Sequence, residues 1–179
     1  MTSAVCNRLR AKRHEYAGMF DTMKTQNFTP LQRVNSVTKT KHGLLASVDD
    51  EFLRVDVISS EVVRIKISVG GVFDENPSYA VAAEPKLSKK FKVKTRDGVT
   101  QLYTGMVLVR IQHEPFGFDV RRDHERVFAP VADEVGVWSY ARNGDEFMIR
   151  RQIGELDPIY GLGEKTGSFN RRGRDFTMW

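Results

Sequence analysis

From Leu31 onward, apolar and polar residues alternate with a period of two, the repeat that puts successive side chains on opposite faces of a strand. Arg33 to Thr40 and Gly43 to Val48 read as a pair of strands around Lys41-His42. Phe52 to Ile58 alternates more weakly. After the turn at Ser59-Ser60-Glu61, Val63, Ile65, Ile67 and Val69 interleave with Arg64, Lys66 and Ser68, which predicts a strand with one wet face. Gly70 to Pro85, interrupted by Pro77, reads as an irregular connection. Phe91, Val93 and Thr95 face one way, and Asp97-Gly98 then marks a hairpin into Val99–Tyr103. Thr104-Gly105 turns into Met106–Gln112, and Phe116, Phe118 and Val120 alternate again. Val135–Tyr140 and Phe147–Arg151 flank Asn143-Gly144, a second hairpin signal. Strands and turns follow one another every 8–12 residues or so with no helical pattern between them, which predicts an all-β sandwich or barrel. No internal repeat or low-complexity segment interrupts them.

Residues 1–27 differ from the rest. Leu9, Tyr16, Phe20 and Met23 recur at roughly helical spacing, with the basic residues Arg10, Lys12, Arg13 and His14 interspersed. This predicts a short N-terminal arm, either an amphipathic helix or a disordered tail, ahead of one domain over 28–179.

Composition adds little to the architecture and removes several functions. The chain has 179 residues, with 40% hydrophobic and 28% charged, an ordinary globular balance. Its net charge of +5 is spread along the strands, so a solvated basic surface accounts for it without a nucleic acid. Cys6 is the single cysteine, which excludes an intrachain disulfide and suits a reducing compartment. No apolar h-region follows the N-terminal basic residues, and no apolar run approaches the ~20 residues of a membrane span. The expected location is cytoplasmic, with no membrane partner.

The final run, Asp157 to Trp179, concentrates Gly161, Gly163, Gly167 and Gly173 with Arg171, Arg172 and Arg174 among separated aromatics. It reads as a short strand, entered at Pro158, followed by a long basic loop. The last residues, Met178-Trp179, are apolar, as expected of a segment cut from something longer. Two phosphate-binding motifs nearly fit it and fail. Glu164 stands where a Walker A loop needs glycine before Lys165, and Thr166 falls where a Rossmann fingerprint needs its third glycine. His14, His42, His113 and His124 form no pair with metal-ligand spacing, and Pro115 prevents His113-Glu114 from opening a helical zinc motif. Asp119, Asp123, Asp157, Glu164 and Asp175 are carboxylates of the kind glycosidases use in pairs, but no spacing singles out two of them. Glu164 is expected to pair with Arg171 or Arg172 and brace the loop.

Two stretches carry a family resemblance. Tyr160-Gly161-Leu162-Gly163-Glu164, then Arg171-Arg172-Gly173, then Met178-Trp179, resembles the signature near the end of the N-terminal β-domain of glycoside hydrolase family 31, the α-glucosidase family. Upstream, Glu114-Pro115-Phe116-Gly117-Phe118-Asp119-Val120-Arg121-Arg122 followed by Arg126-Val127-Phe128 resembles that domain's Pro-Phe-x-Phe strand and hairpin. At the turn, where the family has Asp-Gly, this chain has Asp123-His124. The resemblance runs from about Val34 to Trp179. It implies an antiparallel β-sandwich similar to galactose mutarotase, with no metal or organic cofactor. It also implies a retaining α-glycosidase as parent, with a C-terminal (β/α)₈ barrel that carries both catalytic aspartates and an α-glucoside as substrate. The piece itself would hold no catalytic residue. Its barrel-facing candidates are Tyr160, Gly161, Gly163, Glu164, Arg171, Arg172 and Trp179. α-Xylosidases share this N-terminal pattern, so sugar and linkage stay open. Two other readings remain: a free-standing carbohydrate-binding sandwich without hydrolase activity, and a basic nucleic-acid-binding module, against which the scatter of the charges argues.

Overall fold

A computed structural model describes residues 27–73, 85–133, 136–154, 156–161, 163 and 166–173. All but the last residue of the arm predicted over 1–27, together with Glu164 and Trp179, lie outside these. Among the described residues every regular element is a strand and every pairing is antiparallel.

One sheet holds β2 (Val34–Thr40), β3 (Gly43–Val48), β4 (Glu51–Val57) and β5 (Val63–Val69) in sequence order. The facing sheet runs β10 (Glu125–Phe128), β9 (Phe116–Arg122), β8 (Val107–His113), β7 (Val99–Tyr103), β6 (Lys92–Arg96). A smaller sheet sets β1 (Thr29–Pro30) beside β13 (Tyr140–Asn143) and β14 (Glu146–Ile149), and β11 (Val131–Asp133) pairs with β12 (Gly136–Trp138). The predicted β-sandwich is the observed one.

Alternation explains the core. Leu44, Ala46 and Val48 on β3 and Leu53, Val55 and Val57 on β4 all point inward. They meet Leu102, Val109, Ile111, Phe116 and Phe118 from the other sheet. Each fully buried large apolar side chain here stabilises by about 1.5–3 kcal/mol. A one-residue slip of β3 would turn Leu45 and Ser47 inward instead, so burial fixes the register Gly43↔Asp56 to Val48↔Glu51.

The turns follow their residues. Asp97 and Gly98 both have positive φ, 50° and 71°, the type I′ pattern. Asp123-His124 keeps the same geometry, 49° and 70°, without glycine, so the departure from Asp-Gly leaves the hairpin intact. Placing histidine in the left-handed region costs about 1–2 kcal/mol. After the entropy that glycine adds to the unfolded chain, His124→Gly should still stabilise the domain by about 0.5–1 kcal/mol. Equilibrium denaturation of the two proteins measures the difference.

Three expectations are corrected. Val135–Tyr140 is not one strand: Ser139 breaks it, and its carbonyl accepts the Arg150 amide at 2.9 Å. β12 then pairs back to β11 while β13 pairs forward to β14. The hairpin loop is Gly144-Asp145, not Asn143-Gly144, because Asn143 still pairs with Glu146. Only Gly144 takes a positive φ, at 59°, which is where a type II′ turn needs glycine. Finally, the short strand expected to start at Pro158 is not formed among the described residues 158–161. Pro158 offers no amide, and Gly161 sits at φ 101°, outside the extended region.

Candidate functional site

The described residues between Gly154 and Gly173 are held in place by backbone carbonyls gathered onto two guanidinium groups. Arg171 is buried, and its Nη1 donates to the Ser168 carbonyl at 2.8 Å and the Thr166 carbonyl at 3.2 Å. Its amide donates to the Ile159 carbonyl at 2.7 Å. Arg172 Nη1 donates to the carbonyls of Gly154 and Asp157, each at 2.8 Å. Charge-assisted bonds of this kind are the strong ones, and a forked donor suits two carbonyls better than an ammonium does. Asn170 Oδ1 accepts the amides of Ile159 at 3.0 Å and Arg172 at 3.1 Å, tying the two limbs together. Asp157 Oδ2 accepts the Gly154 amide at 2.7 Å.

Glycine supplies the bends. Gly161, Gly163, Gly167 and Gly173 all have positive φ, from 71° to 101°. A Cβ at Gly161, Gly163 or Gly173 would meet open space, so these three are there for conformation and not for close approach. On this frame the rings of Tyr160 and Phe169 lie 5.0 Å apart at 38°, both largely exposed. The structure therefore brings Tyr160, Arg171 and Arg172 into one loop: the arginines brace it and the tyrosine is displayed. The expected pairing of Glu164 with an arginine, and the packing of Trp179, lie outside the described residues.

The described candidate carboxylates Asp119, Asp123 and Asp157 each have a partner of their own. Asp119 lies between Arg121 at 2.7 Å and Arg110 at 3.3 Å on the outer face of its sheet. Asp123 sits in its turn, 3.6 Å from Arg122, and Asp157 is taken by Gly154. His42 contacts the Ser88 carbonyl at 3.2 Å, and His113 Nε2 contacts Thr100 Oγ1 at 2.9 Å. No group of three metal-ligating side chains occurs among the described residues, and no helix there is long and apolar enough to cross a membrane.

One buried polar group escaped the sequence reading. Glu51 is 1% exposed, and its Oε1 accepts Arg142 Nη1 at 3.2 Å, joining β4 to β13. A carboxylate at the first residue of a strand looks like a turn residue until tertiary packing covers it. Burial, and then the adjacent Glu51 carboxylate, push the Tyr140 hydroxyl from 10.0 up to about 12. The folded state thus keeps a proton that the unfolded chain has lost. That contribution is full below the unfolded value and disappears as pH rises from about 10 through about 12. Tyr140→Phe should lose less stability over that interval. Ultraviolet titration of the native protein should show a late tyrosinate step that the variant lacks.

The comparisons agree with this architecture. Residues 52–179 match the family model for the glycosyl hydrolase 31 N-terminal galactose mutarotase-like domain. Alpha-glucosidase 2 of Bacillus thermoamyloliquefaciens is 26% identical over 146 residues, which are 82% of this chain and 18% of that protein. The glucose complex of a Flavobacterium johnsoniae GH31 dextranase superposes with a TM-score of 0.70 at 22% identity, over 84% of this chain and 19% of that one. The cycloalternan-forming enzyme of Listeria monocytogenes, in complex with a pentasaccharide substrate, gives 0.63 at 16% identity, over 82% and 14%. The chain thus spans less than a fifth of these relatives. With its family model covering most of its length and its sheets superposing on those of solved members, the chain belongs to the glycosyl hydrolase 31 N-terminal galactose mutarotase-like domain family.

Proposed function

We propose that the chain is the N-terminal, non-catalytic sandwich of a retaining α-glycosidase, an α-glucosidase acting on terminal α-linked glucose. The observation that carries this reading is the family match through residues 52–179, which reaches the arginine-braced loop. The similarity to an alpha-glucosidase points to the sugar. The sandwich supports a catalytic barrel of the same polypeptide, and the loop from Gly154 to Gly173 faces it, helping to shape the aglycone side of the pocket. The many hydrogen bonds within that loop suit a rim that must hold its shape. Acid–base chemistry belongs to the barrel, since retaining hydrolysis needs two carboxylates about 5–5.5 Å apart and the candidates Asp119, Asp123 and Asp157 are each engaged by an arginine or a backbone amide. A cytoplasmic location is part of the proposal, resting on a single cysteine at Cys6.

The test is an assay of purified proteins on nitrophenyl α-glucoside and α-xyloside. The 179-residue chain should release no nitrophenol above a mock preparation. A full-length protein containing it should release nitrophenol from the glucoside. Hydrolysis by the chain alone would overturn the division of labour, and preference for the xyloside would overturn the assigned sugar. Calorimetry against maltose and isomaltose distinguishes the remaining alternative, because saturable binding by the isolated chain would make it a sugar-binding module in its own right.

A further inference from the structure

One edge of the five-stranded sheet carries charges that the fold itself does not answer. β6 ends that sheet, with β7 on one side and no strand on the other among the described residues. Alternation along β6 sends Lys92, Lys94 and Arg96 to the outer face, roughly 6.8 Å from one to the next. Val93 turns inward and packs, half-buried, against the core. Directly opposite the three cations stand Tyr103, Gln101 and Val99, none of them charged. Farther across the same face the cations are matched, since Arg110 and Arg121 share Asp119. Among the described residues, Arg96 has one carboxylate, the exposed Asp97 at 3.0 Å, and Lys92 and Lys94 have none. The edge is also held in shape. The Ser88 amide donates to the Val57 carbonyl at 2.8 Å, and the Ser88 carbonyl meets His42 Nδ1 at 3.2 Å. Ser88 Oγ accepts the Lys90 amide at 3.0 Å, so the approach to β6 is tied onto the four-stranded sheet.

We infer that this edge takes up an extended acidic segment of another protein as an added strand, with Asp or Glu at every second position and apolar residues between them. Strand addition draws affinity from the backbone and selects side chains at alternate positions. Carboxylates opposite Lys92, Lys94 and Arg96 would form cross-strand pairs of opposite charge, and the intervening apolar residues would extend the cover over Val93. An edge already fixed in its extended shape loses little freedom when a partner pairs with it. The same cations reject a second copy. If two β6 strands paired antiparallel about Lys94, Lys94 would meet Lys94 and Lys92 would meet Arg96, like charges directly opposite each other. A single-stranded nucleic acid fits less well, because it needs aromatic platforms for its bases, and Tyr103 is the one aromatic residue on this face of β6 to β9. The inference is independent of the glycosidase reading.

The probes are two capped peptides of one composition, equal parts glutamate and valine. One alternates the two residues, and the other gathers its glutamates at one end. Added to the isotope-labelled 179-residue chain, the alternating peptide should shift the amide signals of Lys92–Arg96 saturably and slow their hydrogen exchange. It should bind about tenfold tighter than its isomer. Lys92→Glu with Lys94→Glu should remove that binding, and a peptide alternating lysine with valine should then bind the variant instead. Equal affinity for the two isomers would overturn the inference, because net charge alone would explain it. So would the absence of saturable shifts at Lys92–Arg96. Equally tight binding of an oligodeoxythymidylate of the same charge would assign the edge to polyanions at large and overturn it too. Binding by this chain that vanishes in a full-length protein containing it would also overturn it, since the edge would then belong to a strand of the same polypeptide.

Discussion

Arg142→Met should destabilise the domain by about 3–5 kcal/mol, the cost of leaving a buried carboxylate without its cation. Glu51 is nearly inaccessible, its Oε1 takes a guanidinium bond at 3.2 Å, and Tyr140 closes the site from β13. Methionine retains much of the length of arginine and its apolar stem, so the loss reports on the charge and not on packing. The informative comparison is the double variant Glu51→Gln, Arg142→Met. Removing both charges should recover most of the loss, since desolvation opposes a buried ion pair even while the partners attract. Denaturant unfolding of the four proteins closes the cycle. An Arg142→Met domain within about 1 kcal/mol of the parent would mean that water reaches Glu51 after all, because exposed ion pairs are worth that little.

The same residues show what could be read from the sequence. The sandwich was legible because its core strands alternate: Leu44, Ala46 and Val48, then Leu53, Val55 and Val57, leave no other face to bury. The hairpin at Asp97-Gly98 was legible because few residue pairs tolerate two positive φ angles in succession. The hairpin at Asp123-His124 shows the converse, with tertiary context imposing a turn that one of its residues resists. The break at Ser139 was hidden because Val137, Trp138, Ser139 and Tyr140 preserve strand-like composition across the point where the chain changes sheets. The loop was half legible. Its glycines and arginines announced something irregular and basic, but the gathering of carbonyls onto Arg171 and Arg172 depends on contacts between residues up to 18 positions apart. Glu51 was not legible at all, since its partner Arg142 lies 91 residues away.

Gly43→Ala should be at least as damaging as any loop substitution, costing about 3 kcal/mol or more. Gly43 opens β3 directly opposite Asp56 and at the end of the β2 hairpin, with the peptide of β4 packed over its Cα. A Cβ there would sit 1.8 Å from the Val55 carbonyl oxygen and 2.9 Å from its carbon. Both are backbone atoms in a central strand, so no side chain can swing away to make room. Relief would require β3 and β4 to separate, which would give up ladder hydrogen bonds beside fully buried Leu44 and Val55. Gly98→Ala makes the control. Its Cβ meets nothing within 4 Å, so it carries only the penalty of its φ of 71°, about 1–2 kcal/mol. Thermal unfolding of the two variants should therefore rank Gly43→Ala well below Gly98→Ala. The reverse order would mean that the strands yield where the turn does not, and that pairing between β3 and β4 is looser than its buried residues imply.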